Sequence, residues 1–386
     1  MKFLGYRRAD GKVGTRNYVG VISTVVCANE VARAVAENVN GAVSFSHQQG
    51  CCQTPPDLDR VTETLCGLGT NPNLAAVVLV ALGCEGTDIT KIEEAIKANG
   101  KRVETVYIQE EGGAAKTTAK ATLLAQELVM DASRLTPVEC GPEDIVLGLK
   151  CGSSDTTSGL VTNPALGVTV EQLVAEGASV VMGEVTEFIG AEHIMAAQAK
   201  DKETGQKILD LVERMENRAK AIGVDMRGGQ PTPGNIEGGL STIEEKSLGA
   251  IAKVGNAVVQ EVYEYGQCPQ VKGLVVMDSP GREPEILTGL AAAGCNVITF
   301  TTGRGAPQGF PFVPVIKMTG NEKTWTHMRD HMDMSVHEVM DGDETLNQAG
   351  SRIYDAIETV ANGAQTKAEI SGYVQAMDIY VTGPVI

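Results

Sequence analysis

Apolar runs and amphipathic segments alternate along the chain. Residues 18–25 (YVGVISTV) predict a strand. Residues 74–82 (LAAVVLVAL) predict a longer one, apolar on both faces as in parallel sheets. Between them, residues 29–38 place alanine and valine at three- and four-residue spacing, the period of a helix with one buried face, and residues 42–45 form a short strand. A helix over 92–99, a strand over 102–108 and a helix over 117–130 complete a first set. Two prolines and a glycine interrupt the pattern at 135–144 (LTPVECGPED), which marks a boundary.

A second set follows. Strands are expected at 145–149, 178–182, 273–277 and 296–300, with helices at 168–175 and 284–293. A charged helix over 202–221 and a glycine- and proline-rich loop over 227–241 interrupt it. Strand–helix–strand alternation of this kind builds doubly wound parallel sheets. The expected fold is α/β, with two Rossmann-like parallel-sheet domains and a cleft between them. The domains would span 1–138 and 139–386, the second carrying a helical and loop insertion near 200–265. In such sheets ligands bind beyond the carboxyl ends of the strands. Three polar loops, SHQQGC, GEVTEFIGAEH and TTGRG, leave such ends and are expected to converge there.

Composition narrows the function. A formal net charge of −17 argues against nucleic acid and anionic membranes as partners, yet leaves room for a small anion held by local arginines. No apolar run is long enough to cross a membrane, and the N-terminus lacks the apolar core of a secretory signal. Nine cysteines, an odd number without repeated spacing, fit reduced thiols in the cytoplasm. Neither a G-x-G-x-x-G turn nor a phosphate-binding P-loop is present.

Candidate chemistry gathers at predicted strand ends. His47 and Cys51 flank Gly50, Cys84 ends the 74–82 run, and Cys151 ends the run at 145–149. Imidazole and thiolate are transition-metal ligands, so these four are the candidate metal set. His47 and thiols could hold a mononuclear Fe2+; an iron–sulfur cluster on Cys51, Cys84 and Cys151 is the alternative. Glu85, Glu187 and His193 are the candidate acids and bases. Arg304, in Thr302-Gly303-Arg304-Gly305, suits a carboxylate or sulfonate, with Arg16, Ser153, Ser154, Asp155 and Thr302 as further substrate contacts. His327, His331 and His337 read as a surface helix.

Ordered motifs carry a resemblance across nearly the whole chain: DGKVGTRN (10–17), His47-x-x-Gly50-Cys51, LGCE (82–85), KCGSSDTTSG (150–159), TNPALG (162–167), GAEH (190–193), PTPGN (231–235), STIEEKSLG (241–249), MDSPG (277–281) and FTTGRG (300–305). Together they resemble the altronate/galactarate dehydratase family. The resemblance implies an iron- or manganese-dependent lyase acting on 2-hydroxy acids by proton removal beside a carboxylate. Single-chain members carry an N-terminal SAF-type domain. This chain starts at the catalytic part, like the large subunit of the two-subunit (2R)-3-sulfolactate sulfo-lyase branch, so a separate small SAF-type subunit and an oligomer are expected. Sugar-acid dehydration is the alternative chemistry, and a non-catalytic partner-binding scaffold a further one.

Overall fold

The computed structural model describes residues 1–384 and 386. Its strands are β1 (Phe3–Arg7), β2 (Val13–Gly14), β3 (Tyr18–Ser23), β4 (Ala42–Phe45), β5 (Leu74–Ala81), β6 (Arg102–Tyr107), β7 (Val138–Cys140), β8 (Val146–Gly152), β9 (Ser179–Met182), β10 (Val259–Tyr263), β11 (Gly273–Met277), β12 (Val297–Thr302), β13 (Val315–Thr319) and β14 (Met334–Ser335). They form a parallel four-stranded sheet in the order β4-β3-β5-β6 and a parallel seven-stranded sheet in the order β10-β11-β9-β8-β12-β13-β14. A small antiparallel sheet, β2-β1-β7, was not expected from the hydrophobic pattern.

Both parallel sheets are built from crossovers whose helices bury an apolar face. Asn29–Asn38 joins β3 to β4 through Val31, Ala32 and Val35, all buried. Ile89–Ala98 joins β5 to β6, buries Ile92 and Ile96, and starts where the Asp88 side chain accepts the Lys91 amide. In each sheet the strand order reverses once, between β3 and β5 and between β8 and β12. At these switch points the flanking loops splay apart and leave a crevice. Cys151 and Gly152 pair in register with Thr301 and Thr302, so the loops after β8 and β12 start side by side.

The expected open cleft between two domains is replaced by shared core. Phe45, Leu65 and Leu68 pack in one cluster with Ile286, Leu290, Phe300 and Phe310, all essentially inaccessible. Each such side chain contributes about 1.5–3 kcal/mol when buried, so parting the sheets here would cost about 10 kcal/mol or more. Asn71 and Asn73 add buried amide bonds across the same seam, to the carbonyls of Ala291, Cys295, Asn296 and Phe312. The C-terminal segment also returns to the first half. The amides of Thr382 and Gly383 donate to Asp57, on the helix Pro55–Thr70. No helix among the described residues is long and apolar enough to cross a membrane.

Candidate active site

The switch point of the seven-stranded sheet combines buried charge with accessible cavities. Lys150 is the penultimate-but-one residue of β8, in an otherwise apolar run, and its Nζ lies 2.6 Å from Glu184 Oε1. Lys253 bonds the Glu187 carboxylate and stands 3.8 Å from Glu184 Oε2. All four side chains are buried. Moving one unpaired charge inside costs several kcal/mol, so two lysines and two carboxylates are stable here only as a set. Burial opposes charge on both lysines, but Glu184 and Glu187 outweigh it and raise them. Burial, with Glu187 alongside, pushes Glu184 up to about 7 despite the lysines. Glu184 also adopts a left-handed backbone (φ 65°), fixed by its amide donating to Ser279 Oγ at 2.7 Å.

From this quartet the contacts lead outward. The Cys151 amide donates to Glu184 Oε2 at 2.8 Å, and Cys151 Sγ lies 3.3 Å from Ser154 Oγ. Ser154 and Asn163 line a cavity of 280 Å³, and Asp155 lines both this one and a second of 500 Å³. The larger cavity gathers Arg304, Lys323, His327 and Asn321. Asp155 is a frame member: its oxygens accept from Thr157, Ser158 and, at 2.7 Å, Asn321 Nδ2. Gly303 allows this crossing, because a Cβ there would fall 2.3 Å from Asp155 Cγ. Arg304 donates its amide to the Ser153 carbonyl and its Nη1 to Gly234 O at 2.9 Å and Glu237 Oε2 at 2.7 Å. Ser153, like Glu184, has a left-handed backbone, and Thr302 Oγ1 accepts the Gly305 amide.

The expected metal set does not come together. Cys151 belongs to the seven-stranded sheet, whereas His47, Cys51 and Cys84 lie beyond β4 and β5 of the other. Both nitrogens of His47 are engaged by backbone: Nε2 donates to Ser23 O at 2.9 Å and Nδ1 accepts the Gln49 amide at 3.1 Å. Burial holds this imidazole down to about 4, so it is neutral but has no free lone pair for a metal. Among the described residues no three His, Cys, Asp or Glu side chains are placed to share one ion. A mononuclear Fe2+ or Mn2+ therefore does not fit the residues assigned to it.

Sequence comparison decides the family. Residues 5–133 match the model of the D-galactarate dehydratase/altronate hydrolase second domain, and residues 142–383 match the D-galactarate/altronate dehydratase C-terminal model. The chain belongs to the galactarate/altronate dehydratase family. It is 40% identical to the (2R)-sulfolactate sulfo-lyase subunit beta of Chromohalobacter salexigens, over 96% of this chain and 95% of that one. It is 34% identical to the altronate dehydratase of Bacillus subtilis (84% of this chain, 66% of the relative) and 31% identical to the galactarate dehydratase (L-threo-forming) of Escherichia coli (94% and 73%). The family member described here is thus an enzyme of the lyase type.

Other expected site residues of this lyase serve the fold. Arg16 is buried, and its guanidinium donates to both oxygens of Glu369 and to the carbonyls of Thr15, Val360 and Ala364, leaving nothing for substrate. Glu85 accepts from Thr24 Oγ1 and from the amides of Leu82 and Gly83. Burial alone would raise its carboxyl, but these bonds outweigh it and hold Glu85 below the usual range, a poor base. His193 is exposed on a short helix and lines neither cavity. Glu187 is the one expected acid–base residue in the quartet. Glu184 stood in the acidic GEVTE run without a role of its own, and Lys150 and Lys253 were not singled out. Their signal is a lysine inside an apolar run, as in VLGLKCG and GAIAKV.

Proposed function

We propose that the chain is the large, catalytic subunit of a lyase that removes sulfite from (2R)-3-sulfolactate to give pyruvate. The observation that carries this is a cation-lined cavity at the switch point of the seven-stranded sheet, backed by a buried Lys–Glu quartet. Arg304 and Lys323 receive the two anionic ends of the substrate, and Glu237 is displaced from Arg304 as substrate enters. The proton on C2 leaves toward Glu184, whose carboxyl near neutrality suits proton transfer at working pH; Cys151 and Ser154 lead from Glu184 to the 280 Å³ cavity, which shares Asp155 with the cation-lined one. The C–S bond breaks with its electron pair departing on sulfite. The remaining enol takes a proton on C3 and becomes pyruvate. Lys150 and Lys253 favour the carboxylate form of Glu184 before it takes the proton, and Glu187 remains to balance them afterwards.

End-to-end similarity to a sulfo-lyase beta subunit supports the substrate and a separate partner, which we take to be a small SAF-type subunit in an oligomeric complex. Nine free cysteines support a reducing compartment, the cytoplasm. A second reading, dehydration of a sugar acid, is favoured by the 500 Å³ volume, which admits a six-carbon acid. Incubation of the two-subunit complex with sulfolactate, altronate or galactarate, with sulfite and keto acid assayed separately, tests both. Keto acid without sulfite, from a sugar acid only, establishes the second reading. No product from any of them removes both.

A further inference from the structure

Two thiols beyond the four-stranded sheet stand side by side. Cys51 and Cys52 lie on the loop after β4, both are exposed, and their Sγ atoms are 3.6 Å apart. Cysteine is among the most buried residue types, and an exposed thiol is open to oxidation and exchange. The proposed elimination uses neither side chain.

The backbone sets up the pairing. In extended chain, neighbouring side chains point to opposite faces. Here Cys52 takes a left-handed backbone (φ 53°), which a residue with a Cβ adopts at a cost. Gly50 also has a positive φ, of 106°, and a Cβ there would lie 2.7 Å from Thr24 O. Gly50 is pinned on both sides. Its amide donates to Gln53 Oε1 at 2.7 Å, and its carbonyl accepts the Gly86 amide at 2.9 Å. The turn that carries the two thiols is thus held in place by its neighbours.

The same loop seats the C-terminal segment. The Cys52 carbonyl accepts the Ile386 amide at 2.9 Å, and Gln49 Nε2 donates to Asp378 Oδ1 at 2.9 Å. Asp57, just beyond, takes the amides of Thr382 and Gly383. A change of shape at residues 51–52 therefore acts directly on the docking of residues 378–386.

We propose that Cys51 and Cys52 form a redox switch, in which a small-molecule disulfide joins the two neighbours and so loosens the C-terminal segment. One thiolate attacks the small disulfide, whose S–S bond breaks and releases one half. The second thiolate attacks the mixed disulfide and releases the other half. Two electrons pass to the reagent, and the two cysteine protons end on the two thiols it becomes. Successive Cα atoms stand about 3.8 Å apart, inside the range of about 4.4–6.8 Å usual for disulfides, so a bond between neighbours is strained and readily reduced. Such a bond suits a reversible sensor rather than a staple. Closing it turns the 51–52 peptide and swings the Cys52 carbonyl away from Ile386.

The test reads thiols and amide exchange rather than turnover, so its outcome is separate from that of the lyase reading. The full-length chain is equilibrated with mixtures of reduced and oxidised glutathione, trapped by alkylation, and read by mass spectrometry of the intact chain and its peptides. The expected result is a loss of two hydrogens confined to the peptide that holds both residues, fully restored by dithiothreitol. Cys51→Ser and Cys52→Ser each abolish it, while Cys27→Ser and Cys84→Ser retain it. Amides of residues 378–386 should exchange about 2- to 10-fold faster in the oxidised chain, as for a lost hydrogen bond. Thiols that stay reduced, that carry only separate glutathione adducts, or that bond Cys51 to Cys27 or Cys84 overturn the pairing. A bond at 51–52 with unchanged exchange over 378–386 overturns the switch.

Discussion

The switch points of the two parallel sheets share a topology and differ in chemistry. Beyond β3 and β5, the carboxylate next to Cys84, Glu85, is saturated by Thr24 and two amides, and four thiols face solvent. Beyond β8 and β12, two lysines and two carboxylates are buried together, and an arginine, a lysine and a histidine line a cavity. The same winding supplies a crevice in both places. What fills it depends on whether the flanking strands carry ionisable residues inward, as Lys150 does, or end in small and sulfur-bearing loops, as Cys84 does. The proposed proton transfer is assigned to the first kind of crevice, because burial and a neighbouring like charge each move a carboxyl toward neutrality and both act on Glu184.

The largest expected effect is at Glu184. Glu184→Gln removes the proposed proton acceptor and is expected to lower kcat/KM by about 10²- to 10⁴-fold. Because it also leaves two lysines with one carboxylate, its melting temperature is measured in parallel. Lys253→Met alone is expected to destabilise by about 3–5 kcal/mol as a broken buried pair, and the double variant Glu187→Gln/Lys253→Met by less.

His47 sharpens the contrast from the other sheet. Its folded value near 4 lies below the ordinary 6.5, so below pH 6.5 the unfolded chain binds a proton that the folded chain refuses. Stability therefore falls as pH drops from 6.5 to 4, by about 3 kcal/mol in all. Denaturant titrations across that window should show this slope, and it should flatten in His47→Gln. A slope unchanged by that substitution would mean the imidazole is not held neutral.

Smaller effects follow. Arg304→Ala should raise KM by about 10- to 100-fold, as expected for one lost charge-assisted pair, with kcat changed less. Loss of kcat alone would move Arg304 from binding to chemistry. His193→Ala, at an exposed position away from both cavities, should alter stability by no more than about 0.5 kcal/mol and leave turnover intact.

The strands were legible because parallel sheets demand near-continuous apolar runs. Residues 42–45 and 273–277 match β4 and β11 at both ends, and 74–82 overruns β5 by one residue. β1, β2 and β7 are short or carry exposed residues, so they give little hydrophobic signal. In the helix Pro55–Thr70, Gly67 and Gly69 dilute the period. Ser154, Asp155, Glu187, Thr302 and Arg304 were legible as polar residues that follow strands, and the structure places those strands in one sheet. His47, Cys51, Cys84 and Glu85 were equally visible as strand ends, but sequence does not say which sheet a strand joins, and the two groups were read as one site. Arg16 and His47 looked like ligands because their partners, Glu369 and the Ser23 carbonyl, are set by tertiary packing.

The most direct test is kcat/KM against pH for the complex with the proposed small subunit, comparing wild type with Glu184→Gln and Cys84→Ser on sulfolactate. Chemistry at the seven-stranded sheet predicts a rise of the wild-type rate through pH 7 and its retention at reduced amplitude or better in Cys84→Ser. In Glu184→Gln the limb should vanish along with most of the rate. A Glu184→Gln enzyme with the wild-type profile, beside a Cys84→Ser enzyme that is inert, would place the elimination at the thiol rim instead.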